Sequence, residues 1–147
     1  MMKKFAFLLA FSLAACGGPP KPAIEDARVN LPAVAGRPGA AYFTIKGGPQ
    51  EMRLMSVTSP AVGRVELHDT VTKGGMMSMV AIDAGVAVPA GDEVAFAPGG
   101  KHAMLFDINP KLKVGDAVKL RFTYADGFTV DAEAKVLAPG DEGGHHH

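Results

Sequence analysis

The chain has 147 residues, of which 48% are apolar and 20% charged, and its 15 basic residues balance 15 acidic ones. That length supports one domain with a sizeable core, and the apolar fraction excludes long disorder or a collagen-like repeat. A neutral chain without a basic cluster lacks the electrostatic footprint of a nucleic-acid binder, so no nucleic-acid partner is expected. There is one cysteine and no tryptophan. A single thiol cannot make an internal disulfide, a CxxC redox pair or a cysteine-rich zinc site.

The amino terminus reads as an address. Residues 1–15 open with Met1-Met2-Lys3-Lys4 and continue as an apolar run from Phe5 to Ala15, the pattern of a signal peptide too short to span a membrane permanently. Leu13-Ala14-Ala15-Cys16 follows and resembles a bacterial lipobox, in which Cys16 is lipidated and becomes the first residue. Residues 16–23, with Gly17-Gly18-Pro19-Pro20, then form a flexible tether. No acidic residue follows Cys16 directly, and by the same resemblance the lipoprotein faces the periplasm from the outer membrane rather than the inner. Its only membrane contact is the lipid anchor. Loss of Lys3 and Lys4 leaves 13 basic and 15 acidic residues, a net charge of −2. The expected domain spans 24–138, and a flexible tail that ends in histidine occupies 139–147.

The body reads as short strands separated by glycine and proline. Residues 41–46 are rich in β-formers and stop at Gly47-Gly48-Pro49. Further strands are expected at 53–58, 62–69, 76–82, 93–97 and 102–108. Val118, Leu120, Phe122 and Tyr124 alternate with polar neighbours, as do Phe128, Val130, Ala132, Ala134 and Val136. Asp126-Gly127 between these runs signals a two-residue hairpin with both turn residues at positive φ. Many short strands at close spacing predict an all-β fold, an antiparallel sandwich or small barrel.

Soft donors are concentrated on that scaffold. Outside residues 1–2 the methionines are Met52, Met55, Met76, Met77, Met79 and Met104, and the domain's histidines are His68 and His102. Met52 and Met55 read as core fillers. A hairpin centred at Lys73-Gly74 would set His68 directly across from Met79, and a slip of two residues would make them diagonal. Met77 shares Met79's face by alternation, and His102 shares a face with Met104. Thioethers are soft and select Cu(I), whereas imidazole also accepts Cu(II) and zinc. A blue-copper site needs a thiolate, and the domain holds none to give. Spacing alone leaves the four residues divided between metal ligation and ordinary packing, with Met77 as a ligand, an accessory contact or packing.

The residues Val65-Glu66-Leu67-His68, Met77-Ser78-Met79 and Pro98-Gly99-Gly100-Lys101-His102-Ala103-Met104 resemble the PCuAC family of periplasmic copper chaperones. That family's pattern is a histidine, ten residues, a methionine, a little over twenty residues, then His-x-Met. Here the gaps are ten (69–78) and twenty-two (80–101). Residues 40–45, 88–91, 112–116 and the Asp126-Gly127 turn add to the similarity. Thr70 departs from it, because many relatives carry methionine there. The resemblance implies a cupredoxin-like antiparallel β-sandwich or Greek-key barrel that binds one Cu(I) through His68, Met79, His102 and Met104. It further implies a monomer that delivers copper by ligand exchange to the copper-containing subunit of cytochrome c oxidase, at its binuclear centre, or to another copper chaperone.

His145-His146-His147 close the chain, either as a tag remnant or as a native extension able to take Cu(II) or zinc. No nucleophile–base pair, paired carboxylate motif or phosphate loop stands out, so an enzyme is not expected. Glu66 and Asp69 flank His68 and read as a solvated strand surface. The rival functions are a copper buffer with the same site and a metal-free β-sandwich for protein contacts.

Overall fold

The computed structural model describes residues 17–142. The expected signal peptide, Cys16 and the terminal histidines lie outside them. Ten strands run in chain order: β1 (Ala23–Asn30), β2 (Gly39–Lys46), β3 (Met52–Thr58), β4 (Val62–Lys73), β5 (Met76–Ala81), β6 (Val86–Val88), β7 (Glu93–Phe96), β8 (His102–Ile108), β9 (Ala117–Tyr124) and β10 (Thr129–Leu137). They form one open path in the order β5-β4-β8-β2-β1-β10-β9-β3-β6, and β7 pairs β2 beside β8. The fold is all-β, as expected. It is not purely antiparallel, however: β1 runs parallel to β10, with Arg28 beside Lys135 and Asn30 beside Leu137. A pairing between the two ends of a domain leaves no hairpin signal, so the local sequence could not announce it.

The inward faces of the path share one core. Buried positions alternate along β2 at Ala41, Phe43 and Ile45, and along β9 at Val118, Leu120, Phe122 and Tyr124. Period-2 alternation puts every second side chain inside, which is what the apolar spacing of these strands demands. Phe43 stacks on Phe96 at 4.5 Å between ring centroids and meets Phe122 edge-on at 4.7 Å. Met52 packs against this core, whereas Met55 is exposed and is no core filler.

The hairpin between β9 and β10 differs from the expected turn. Thr123 pairs with Thr129, and the Tyr124 N–H donates to the Phe128 carbonyl at 2.9 Å, leaving a three-residue loop of Ala125, Asp126 and Gly127. Only Gly127 takes positive φ, +86°, the arrangement of a turn closed by a glycine bulge. The reason is register. A two-residue loop would set buried Tyr124 across from Thr129 and flip β10 relative to β9. The observed loop instead sets Phe122 across from Val130 and Val118 across from Ala134. A Cβ on Gly127 would meet nothing within 4 Å, so the penalty for one is conformational. Gly127→Ala should therefore cost about 1–2 kcal/mol, read as a lowered urea midpoint with an unchanged slope.

Candidate metal centre

β4 and β8 lie side by side with His68 opposite His102 and Glu66 opposite Met104. Leu67, Ala103 and Leu105 occupy the intervening positions and are buried in the core. Alternation therefore turns Glu66, His68, His102 and Met104 to the outer face together. The two imidazoles are neighbours, with ring centroids 5.7 Å apart and planes inclined at 39°.

Each ring is held by one nitrogen. His102, only 8% exposed, has Nδ1 3.1 Å from the Gly100 carbonyl. A carbonyl only accepts, so Nδ1 donates and the neutral ring carries its lone pair on Nε2. His68 has Nε2 3.0 Å from Glu66 Oε2, while its Nδ1 is buried without a hydrogen-bond partner. An imidazole whose far nitrogen is bonded to a carbonyl or carboxylate is the usual supporting arrangement for metal ligation, since it fixes tautomer and orientation. The hydrogen bond from His68, with Arg64 alongside, holds the Glu66 carboxyl below its ordinary range.

The loop between β7 and β8 supports this arrangement. The Gly100 carbonyl also accepts from Thr70 Oγ1 at 3.0 Å, and Lys101 Nζ lies 2.9 Å from Asp69 Oδ2. One backbone carbonyl thus joins β4 to the His102 ring. Glu66, read from the sequence as a solvated surface acid, is the orienting partner of His68. Its position two residues before that histidine, on the same strand face, was the available clue.

The methionine hairpin departs from the primary expectation. Gly74 and Gly75, both at positive φ, form the turn, and Lys73 pairs with Met76. Met79 therefore lies opposite Thr70, and Ala81 lies opposite His68. Met79 is diagonal to His68, because the two-glycine turn sits one residue further along than the expected centre. Both still share the outer face, with Met77 opposite Thr72 one step nearer the turn. The coil of the sheet brings Met77, Met79, His102 and Met104 around one open cavity of about 580 Å³, whose wall continues through Thr70, Tyr42 and Asn30. His68 does not line it; its ring lies beside that of His102.

Among the described residues no group of three or more His, Cys, Asp or Glu side chains is placed to hold a metal ion. The further donor atoms that this face sets near the His102 ring are the thioethers of Met79 and Met104. Two supported imidazoles beside exposed thioethers suit a soft monovalent ion better than a hard cation.

The fold is the cupredoxin-like β fold that PCuAC domains share. The structure resembles a solution structure of the Cu(I) form of DR1885 from Deinococcus radiodurans, with 27% identity and a TM-score of 0.66, covering 92% of this chain and 89% of that one. It also resembles the copper-bound PCuAC domain of PmoF2 in fold, with 23% identity and a TM-score of 0.65 over 84% of this chain and 100% of that domain. The chain belongs to the LpqE-like family, described as "Putative lipoprotein LpqE-like", which matches residues 22–136. The "Putative lipoprotein Lxx21020" of Leifsonia xyli is 34% identical over 91 residues, 61% of this chain and 55% of that protein. The uncharacterized protein RP573 of Rickettsia prowazekii is 31% identical over 98 residues, 66% of this chain and 54% of that protein. The chain thus spans about half the length of the curated relatives it matches.

Proposed function

We infer that this protein is an extracytoplasmic Cu(I) metallochaperone, anchored through Cys16, that binds one ion with His68, Met79, His102 and Met104 and releases it by ligand exchange. The observation that carries this reading is the imidazole pair. Each ring has one nitrogen engaged by a fixed acceptor, which leaves a lone pair on Nε2 of His102, at the wall shared with Met79 and Met104, and one on the buried Nδ1 of His68, whose ring lies beside that of His102. Neutral sulfur donors need no deprotonation and form no disulfide, which suits cargo carried in an oxidising compartment. Met79 is 58% exposed, so an acceptor's ligand can approach before the donor's has left. Nothing in this chemistry requires a nucleophile or a general base. The role is binding and transfer, with the copper-containing subunit of cytochrome c oxidase as the proposed recipient.

The test is direct. Cu(I) titrated anaerobically against a chelator should bind with a stoichiometry of one and perturb the histidine and methionine side-chain NMR signals of this face. The loaded protein mixed with the isolated copper domain of the oxidase should then give up its ion. Absence of any Cu(I) binding would refute the assignment, and binding without transfer would favour a copper buffer.

A further inference from the structure

We propose that Met77 is a separate outer station for Cu(I), a thioether through which the ion passes on its way into and out of the inner site; this rests on the function inferred above. Met77 lies on the face of Met79, two residues nearer the hairpin turn, so their backbone positions are about 7 Å apart. It lines the same cavity as Met79, His102 and Met104. Exposure rises outward along that wall, from 8% at His102 through half-buried Met104 to 58% at Met79 and 66% at Met77. His102 is fixed by its bond to Gly100, whereas the two outer thioethers belong to a ribbon that runs past the start of β8.

An ion held between an anchored imidazole and an exposed sulfur has a stepwise way out. One Cu–S bond to Met77 forms as one bond to an inner ligand is released, and the metal stays monovalent. No electron moves, and no proton moves either, because a thioether carries none. Met76 offers a built-in control. It has the same side chain, pairs with Lys73 and is 76% exposed, but alternation turns it to the opposite face.

A station on the path is crossed in both directions, so its removal should slow entry and exit by the same factor and leave the equilibrium in place. Cu(I) loading, and removal by an excess of the chelator bathocuproine disulfonate, are followed by stopped flow on the full chain. Met77→Leu should slow both by about tenfold with affinity held to within about threefold, and Met76→Leu should change neither. Unchanged rates in Met77→Leu would overturn the proposal. So would an affinity loss as large as that of Met79→Leu, which would make Met77 an inner ligand, or equal slowing by Met76→Leu, which would reduce the effect to hairpin polarity. Failure of the unaltered protein to bind Cu(I) is a distinct result that removes the underlying function.

Discussion

Replacing Met79 and Met104 together by alanine is expected to lower Cu(I) affinity by at least about a hundredfold, which at tenfold per 1.4 kcal/mol is about 3 kcal/mol. The thermal unfolding midpoint should stay within about 5 °C. The expectation rests on where the two side chains stand. Met79 projects from an exposed ribbon, and Met104 is half-buried at the cavity wall rather than within the core. Truncation therefore removes the proposed donor atoms without opening a hole among packed groups. The imidazole pair would remain, with its supports at Glu66 and Gly100 intact. Because imidazole does not discriminate among copper(I), copper(II) and zinc as sulfur does, selectivity should fall further than affinity for the harder ions. Competition against a chelator measures the first effect, and parallel zinc titration the second. Unchanged Cu(I) affinity would show that the thioethers are packing residues.

Phe122→Ala is expected to destabilise the domain by about 3–5 kcal/mol, a large part of the roughly 5–15 kcal/mol that holds a domain of this size together. Phe122 is fully buried and meets Phe43 edge-on, and Phe43 in turn stacks on Phe96. One truncation thus leaves a cavity at the junction of β9, β2 and β7. The neighbouring strands are tied by ladders on both sides of β9 and cannot collapse to fill it. Urea denaturation should show a lower midpoint with the slope retained. A loss below about 1 kcal/mol would mean that the aromatic cluster repacks. Cu(I) affinity of the folded fraction should be unaltered, since the proposed donors stand on β4, β5 and β8.

What could be read beforehand followed the range of the interactions. The alternation in β2, β9 and β10 is a local period-2 signal, and those strands stand where expected. β1 escaped notice because Glu25, Asp26 and Arg28 interrupt its apolar positions, and Asp26 sits at φ +53° in a bulge against β2. β6 has only three residues between Gly85 and Pro89, too few for a pattern. Within the candidate centre, alternation was enough to place Met77 with Met79 and His102 with Met104. The pairing of His68 with His102 was not readable, because it depends on β4 and β8 meeting across 34 residues of chain. The Gly100 carbonyl was equally hidden, since a backbone acceptor has no sequence signature. The diagonal placement of Met79 turned on a one-residue choice of turn centre within Lys73-Gly74-Gly75.

The direction of β1 bears on how the protein would present itself at a membrane. The strand enters at Ala23, beside Lys46, and arrives at the cavity wall only at Asn30, about 23 Å further on. A lipid on Cys16 would therefore grip the domain by its far end. The methionine rim would then sit at the end remote from that attachment, while the linker around Gly17-Gly18 would set how widely it can sweep.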